Sequence, residues 1–435
     1  MKIVPARHFC GSIQVPGDKS ISHRALILSS LASGVTDISG LSEGQDVLTT
    51  LKCLEVLGVS FKKNLNQILV YGKGLESLEA PAQTLDCGNS GTTMRLLMGV
   101  LAGQNFSSRL TGDSSLMKRP MERVAIPLRK MGAQIQLSEK GCAPVEILPV
   151  PFLHGISYSL EIPSAQIKSA LLLAGLFAKG DTVLSGRVDG RDHLERMFPE
   201  FGVSVFKDSK TSTLRLVPPT DRKECLEPTV LQVPGDMSSA AFWIAAACLI
   251  KNSHLEIKNV SLNPSRLGFL NVLERMGAQI QVQIIQSQGE PFGNLKVSYS
   301  QLRGTQISAS EVPALIDELP LIAVMGACAS GVTEVKGAEE LRVKETDRIQ
   351  AIAQNFEKMG IQFETFNDGF RIQGRQKFRP TILDSFHDHR IAMAFSVAAL
   401  VAAHETQGES VIENSDCVAI SYPDFYQDLK RLAYE

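Results

Sequence analysis

Two kinds of apolar run alternate along the chain. Stretches such as Ala170-Leu171-Leu172-Leu173-Ala174-Gly175-Leu176 and Ala240-Ala241-Phe242-Trp243-Ile244-Ala245-Ala246-Ala247 are apolar nearly all round, which predicts helices buried on every side. Each falls short of the roughly 20 apolar residues that a membrane span needs, and a polar break follows each. The second kind ends in an apolar pair, a glycine and a strand-like tail: Leu54-Glu55-Val56-Leu57-Gly58-Val59, Leu128-Arg129-Lys130-Met131-Gly132-Ala133, Leu273-Glu274-Arg275-Met276-Gly277-Ala278 and Phe356-Glu357-Lys358-Met359-Gly360-Ile361, with 198–203 around Gly202 a looser member. These glycines lie 74, 70, 75 and 83 residues apart, so six units would fill 435 residues. An earlier helix-to-strand junction also recurs, as in Leu31-Ala32-Ser33-Gly34-Val35-Thr36 and Cys328-Ala329-Ser330-Gly331-Val332-Thr333. There the glycine suits a left-handed helix cap and the β-branched run after it a strand. One unit thus reads as strand, helix, strand, helix and further strand.

A coarser repeat overlies this one. Val15-Pro16-Gly17-Asp18-Lys19-Ser20 returns 218 residues later, half the chain away, as Val233-Pro234-Gly235-Asp236-Met237-Ser238. Only the first copy adds Lys19 and Arg24, and a common scaffold made cationic on one side points to an anionic ligand. The length favours two or three domains. Hydrophobic residues make up 44% and charged residues 21%, as in a soluble globular enzyme. A net charge of −2 argues against nucleic acid or an anionic membrane recruited by bulk charge, so any cationic site is local. The first 15 residues carry Lys2, Arg7 and His8 without a sustained apolar run, so neither a signal peptide nor a spanning helix is expected, and cytoplasm is the expected location. Eight cysteines (Cys10, Cys53, Cys87, Cys142, Cys225, Cys248, Cys328, Cys417) show no CxxC or Cys/His clustering, which disfavours zinc and disulfides and makes most of them small core residues.

Gly17-Asp18-Lys19-Ser20-Ile21-Ser22-His23-Arg24 places a turn before a helix, so backbone N–H groups and the positive end of the dipole face whatever sits there. The plainer reading is an ordinary N-cap with solvated basic residues, and the Walker A spacing is absent. The second copy tips the balance, because Met237, Ser238 and Phe242 show that the turn does not require cations. Asp86-Cys87-Gly88-Asn89-Ser90-Gly91-Thr92-Thr93-Met94-Arg95 is another small-residue turn entering a helix, and Lys118-Arg119-Pro120 adds charge. Ser164-Ala165-Gln166-Ile167-Lys168-Ser169 opens an apolar helix, and Arg191-Asp192-His193 precedes another. Singly each reads as solvated surface. Together they put cations and hydroxyls at four or five helix starts of one half.

In the second half, Asp317 and Glu318 interrupt an apolar run, so at least one carboxylate is expected to be partly buried, either paired with a cation or raised in pKa, and both suit proton transfer. A carboxylate meeting a helix dipole is the plainer reading. Val343-Lys344-Glu345-Thr346-Asp347-Arg348 packs four charges into five positions before a helix over 349–359, and alone it reads as a salt-bridged surface. His387-Asp388-His389-Arg390, before an apolar helix over 391–400, has no third ligand at suitable spacing, so zinc is not expected.

The segments GDKSISHRA, GNSGTTMR, MKRPM, SAQIKSALLLAG, VPGDMSSAAF, VKETDR and DHRIAM, in this order between residues 17 and 393, resemble the signature blocks of the 5-enolpyruvylshikimate-3-phosphate synthase family. The SAQIKSA and Arg191-Asp192-His193 blocks look more like its second class than its first. The related UDP-N-acetylglucosamine enolpyruvyl transferases are the alternative. They usually carry a reactive cysteine on the loop corresponding to 113–120, where this chain has none, and their lysine sits in a different GAKN-like block. A phosphosugar-binding relative without catalysis is disfavoured by Asp317 and Glu345 beside the cations.

The resemblance implies an α/β fold of two similar domains, each of three βαβαββ units with buried helices, in the inside-out α/β barrel of enolpyruvyl transferases. One domain would cover 15–234, on the shikimate 3-phosphate side. The other would cover 1–14 plus 235–435, on the phosphoenolpyruvate and acid–base side, with joining strands near 15 and 233 and helix N-termini converging on the cleft. It further implies a cytoplasmic monomer of the shikimate pathway of aromatic amino acid biosynthesis, with no metal or organic cofactor. Shikimate 3-phosphate would be held by Lys19, Ser20, Arg24, Ser164, Ala165, Gln166, Arg191, Asp317 and Lys344. Phosphoenolpyruvate would meet Lys19, Asn89, Gly91, Arg119, Gln166, Arg348 and Arg390. Asp317 would take the proton of the attacking 5-hydroxyl, and Glu345, with Lys19, would exchange a proton at the methylene carbon. Ser20 and Ser22 have no paired base and are not expected as nucleophiles. First-class members carry a lysine where this chain, aligned on Cys417 and Pro423, has Ile420, so the phosphate of phosphoenolpyruvate would lack one cation. Gly91 leaves room for glyphosate, a phosphoenolpyruvate mimic, so a sensitive enzyme is expected. Cations divided between the halves should repel when empty and close around an anion.

Overall fold

The structure is a computed structural model that describes residues 1–6, 8–64, 67–219 and 226–434, so Arg7 and Cys225 lie outside the described residues. Cα packing divides the chain into two compact units, Gly17–Val233, and Met1–Pro16 together with Pro234–Glu435.

The Gly17–Val233 unit holds helices α1 (Lys19–Leu31), α2 (Gln45–Val56), α3 (Gly91–Leu101), α4 (Glu122–Lys130), α5 (Ala165–Gly175) and α6 (His193–Met197). Its four-stranded sheets repeat one order. Leu85–Asp86 pairs parallel with Ser108–Thr111 across the crossover helix α3, and the antiparallel strands Val145–Leu148 and Gln134–Gln136 follow. Ser157–Leu160, Thr182–Gly186, Thr213–Leu216 and Val205–Asp208 do the same around α5. The odd-numbered helices are the apolar ones and are buried on nearly every side, whereas α2 and α4 keep charged outer faces. Of the repeat glycines, Gly58 and Gly132 close α2 and α4, and Gly202 closes the short 3-10 helix Phe198–Phe201 that follows α6; they stand at φ 86°, 99° and 75°, which side chains rarely adopt.

The third sheet of this unit shows how the chain was divided. Its parallel strand beside Ser33–Ser39 is Val230–Gln232, brought from the far end of the unit. The strand that precedes α1 in sequence, Cys10–Gln14, instead pairs parallel with His254–Ser261 in the other unit. The two Val-Pro-Gly-Asp turns are the crossing points, and Gly17 is required there because a Cβ would lie 1.8 Å from the Gly40 carbonyl oxygen.

The second unit holds α7 (Met237–Leu249), α8 (Gly268–Arg275), α9 (Leu319–Cys328), α10 (Arg348–Lys358), α11 (His389–Thr406) and α12 (Phe425–Tyr434). Helices α7, α9 and α11 are apolar and buried, and Gly277 and Gly360 end α8 and α10 at φ 85° and 74°. The last repeat stops after α12. Its sheet has Ile382–Asp384 parallel to Ser410–Glu413, and the chain's own Lys2–Ile3 supplies the antiparallel third strand. Trp243 of α7 stacks on Phe425 of α12 at 4.7 Å and donates to Tyr422 Oη at 3.1 Å, closing this core. Among the described residues no helix is long and apolar enough to cross a membrane.

One expectation needs correction. The junction glycines do not cap helices. Helix α1 closes on extended Ala32, and Gly34 lies inside the strand Ser33–Ser39 at φ 136°. Helix α9 closes on extended Ala329, with Gly331 at φ 99° just before Val332–Val335. The chain leaves these helices directly in extended geometry, so the glycines ease entry into the sheet. Among the described cysteines, Cys53, Cys87 and Cys248 are buried in the cores and the partly buried Cys328 and Cys417 pack against one, as expected, whereas Cys10 and Cys142 do not.

Candidate active site

Side chains tie the starts of α1, α3 and α5 together. Asp18 caps α1 by accepting the Ile21 N–H at 2.9 Å, and Lys19 reaches Asp46 at the start of α2 at 2.8 Å. One turn on, Arg24 donates back to the Ser20 carbonyl at 2.8 Å and across to Ser169 Oγ of α5 at 2.7 Å. Arg191, just before α6, donates to Ser20 Oγ at 3.5 Å. Ser90 caps α3 by accepting the Thr93 N–H at 3.1 Å, and Ser164 caps α5 by accepting the Ile167 N–H at 3.4 Å. Gln166 accepts from Arg95 Nη1 at 2.7 Å and donates to Thr92 Oγ1 at 3.1 Å, which joins α5 to α3. Arg119 donates to Asn89 Oδ1 at 2.8 Å, and Asn89 Nδ2 donates to Asp113 at 2.6 Å.

Gly91 borders both guanidinium heads. A Cβ there would lie 2.9 Å from Arg95 Nη1 and 3.5 Å from Arg119 Nη1. Lys19, Ser20, Arg24, Asn89, Gly91, Arg119, Ser164, Gln166 and Arg191 are thus gathered at three helix starts, while Ala165 contributes only a place in the first turn of α5. Beneath them His23 is fully buried with Nδ1 2.6 Å from Thr50 Oγ1. Burial, and after it the charges of Lys19 and Arg24, hold its imidazole well below the usual histidine range.

The second unit gathers its charges around one guanidinium. Arg348, the first residue of α10 and 1% exposed, meets Asp388 at 2.8 Å, Glu345 at 2.7 Å and Asp317 at 3.4 Å. Burial pulls its pKa down, but Asp388, Glu345 and Asp317 outweigh that and hold it above the ordinary arginine value. Lys344 Nζ lies 3.9 Å from the same Asp317 oxygen. Burial first, and Arg348 after it, lower the Lys344 pKa against the opposing pull of Asp317, and its 26% exposed side chain keeps that effect modest. The charge run at 343–348 is therefore not the salt-bridged surface expected of it: Asp347 does pair with Arg342 at 2.8 Å near solvent, but Arg348 is internal. Asp388 also caps α11, accepting the Arg390 N–H at 2.8 Å, and so starts that helix two residues before the expected 391.

A second buried network lies behind this one. Glu318 accepts from Ser238 Oγ and lies 4.0 Å from Arg390 Nη1, and Arg266 donates to Ser238 Oγ at 2.6 Å and to Asp236 at 3.2 Å. The starts of α7, α9 and α11 are thereby linked, and Glu318, at 3% exposed, is the more buried of the two adjacent carboxylates. Arg95, Asp46, Ser169 and Asp388 hold the expected site residues in place, yet none was among them. Arg95 carried a signal, as a cation entering a helix; the others act on partners at least 27 residues away in sequence.

The EPSP synthase (3-phosphoshikimate 1-carboxyvinyltransferase) family model matches residues 4–429. A 3-phosphoshikimate 1-carboxyvinyltransferase of Roseiflexus castenholzii is 45% identical over 99% of this chain and 99% of its own length. The EPSP synthase structure from Acinetobacter baumannii superposes with a TM-score of 0.86 at 41% identity, covering 99% of this chain and 98% of that one. The enolpyruvyl transferase NikO from Streptomyces tendae, at 18% identity and a TM-score of 0.81 over 99% of this chain and 96% of its own, shares the fold, the two-domain inside-out α/β architecture. Full-length identity and a common fold agree with helix starts that gather cations in one unit and carboxylates in the other, and the chain belongs to the EPSP synthase family.

Proposed function

We infer that this protein transfers the enolpyruvyl group of phosphoenolpyruvate to the 5-hydroxyl of shikimate 3-phosphate and releases phosphate, a step of aromatic amino acid biosynthesis. Support for the residue roles comes chiefly from Arg348, which draws Asp317, Glu345 and Lys344 to one place. The 5-hydroxyl oxygen bonds to the central carbon of phosphoenolpyruvate as Asp317 accepts its proton and Glu345, with Lys19, delivers one to the methylene carbon. Elimination then breaks the carbon–oxygen bond to phosphate as the methyl carbon gives a proton back.

Shikimate 3-phosphate sits with Lys19, Ser20, Arg24, Ser164, Ala165, Gln166, Arg191, Asp317 and Lys344 on this reading, and phosphoenolpyruvate with Lys19, Asn89, Gly91, Arg119, Gln166, Arg348 and Arg390. The 15–234 portion serves shikimate 3-phosphate and the remainder serves phosphoenolpyruvate and proton transfer. Residues from both are needed, so scattering from the doubly liganded protein should give a smaller radius than the empty one. The protein acts as a cytoplasmic monomer without a metal or organic cofactor. Glyphosate competes with phosphoenolpyruvate beside Gly91, and an inhibition constant far above the phosphoenolpyruvate KM would refute that part.

The deciding experiment is phosphate release from phosphoenolpyruvate with shikimate 3-phosphate, run beside UDP-N-acetylglucosamine. Release only with shikimate 3-phosphate is expected. Release only with the nucleotide sugar, or none with either, would overturn the reading.

A further inference from the structure

Lys168 is a lysine with no access to solvent: its side chain is 1% exposed, on the first turns of α5. Its ammonium has three donors, and three acceptors surround it. It donates to the Val188 carbonyl at 2.9 Å and the Gly190 carbonyl at 3.2 Å, and it meets Glu195 of α6 at 2.5 Å. An ammonium buried this deeply is sustained only by such complete pairing. Its acceptors are all in one place, the loop that leaves Thr182–Gly186 and the helix after it. The Gly190 carbonyl belongs to the peptide bond that leads into Arg191, whose guanidinium donates to Ser20 Oγ. The next residue on α5, Ser169, takes the bond from Arg24 Nη2. Adjacent residues of one rigid helix thus hold two arginines, Ser169 directly and Lys168 through the loop.

We propose that Lys168 is a positioning residue for Arg191, clamping the 188–190 loop so that the guanidinium is presented beside Ser20 for the phosphate of the substrate; this rests on the reading above that Arg191 serves shikimate 3-phosphate. Lys168 touches no substrate. It converts an otherwise open loop into a fixed arm, which lowers the ordering cost that binding would otherwise carry.

The test is calorimetric titration with shikimate 3-phosphate, joined to steady-state kinetics. Removing the lysine alone strands Glu195, so the informative variant is Lys168→Met/Glu195→Gln, which leaves no buried charge without its partner. Expected is a rise of about 10-fold or more in the shikimate 3-phosphate dissociation constant and KM, with the phosphoenolpyruvate KM within about 2-fold, the scale of a lost hydrogen bond to a charged group. Arg191→Ala should weaken binding similarly, and combining it with the clamp variant should add little, because residues acting through one another are not additive. Unchanged affinity in a folded clamp variant overturns the proposal, and so does full additivity with Arg191→Ala. No binding by the wild-type protein would instead overturn the substrate reading itself.

Discussion

Asp18 and Asp236 occupy the same place in two copies of one turn, and each caps the helix behind it, accepting the N–H of Ile21 at 2.9 Å and of Ser238 at 2.8 Å. Beyond the caps the copies part. Lys19 extends to Asp46 with 17% of its side chain exposed, whereas Met237 is wholly enclosed in an apolar core. Arg24 bonds to a backbone carbonyl and a hydroxyl, while the corresponding helix start in the second copy is wired through Ser238 into Glu318 and Arg266. The first copy thus carries two cations at its helix start, Lys19 on Asp46 and Arg24 on Ser20 and Ser169, whereas the second carries none there and gathers Asp236 and Glu318 around Ser238 and the buried Arg266.

Four changes test that division. The largest effect is expected from Asp317→Ala: both substrates should still bind by calorimetry while kcat falls about 10² to 10⁴-fold, the usual cost of losing a positioned base. Undiminished turnover would leave the carboxylate side without its assigned role. Making the second copy resemble the first, Met237→Lys, places an ammonium in a fully buried site and should destabilise the fold by about 3–5 kcal/mol in urea denaturation. A stable variant would show that this turn tolerates the cation after all. The converse exchange, Lys19→Met, should weaken shikimate 3-phosphate binding about 10 to 100-fold while α1 persists under its Asp18 cap; wild-type affinity would argue that the cation is ornamental.

The smallest effect is that of His23. Its folded pKa lies well below the ordinary 6.5, so the unfolded chain takes up a proton first as the pH falls. Stability is then full above about pH 6.5 and declines below it, by at most about 1.4 kcal/mol per pH unit, until the folded imidazole itself titrates. His23→Gln should flatten that slope in thermal melts taken from pH 7.5 to 5. An identical slope would assign the acid sensitivity elsewhere.

The periodic part of this architecture was legible because its markers are local. Gly58, Gly132, Gly202, Gly277 and Gly360 each end a helix in a left-handed conformation, and that need is felt within one turn of chain. Gly34 and Gly331 misled for the same reason: a glycine after a helix looks like a cap, and only the sheet pairing shows that it is already in or entering a strand. For the site, the residues at helix starts could be named, since turn, hydroxyl and cation adjoin in sequence. What held them could not. Arg348 looked like surface until Asp388, 40 residues on, was placed against it, and Lys168 looked like an ordinary helix lysine until 188–190 folded over it. Burial of a charge is settled by partners 20 to 40 residues away, and no spacing rule announces them.

The exchange of strands at the two crossings also sets a timetable for synthesis. Everything in Gly17–Val233 is contiguous, including the Val230–Gln232 strand that completes the sheet of Ser33–Ser39, so this unit can finish as soon as its last strand leaves the ribosome. Cys10–Gln14 emerges earlier but has no partner until His254–Ser261 is made. At about 5–20 residues per second, that strand waits roughly 12 to 50 s beside a neighbour that is already folding. The sheet of Ile382–Asp384 waits longer still, since Lys2–Ile3 must join Ser410–Glu413, which is made long after it. The unit that begins first on the ribosome is thus the one that finishes last.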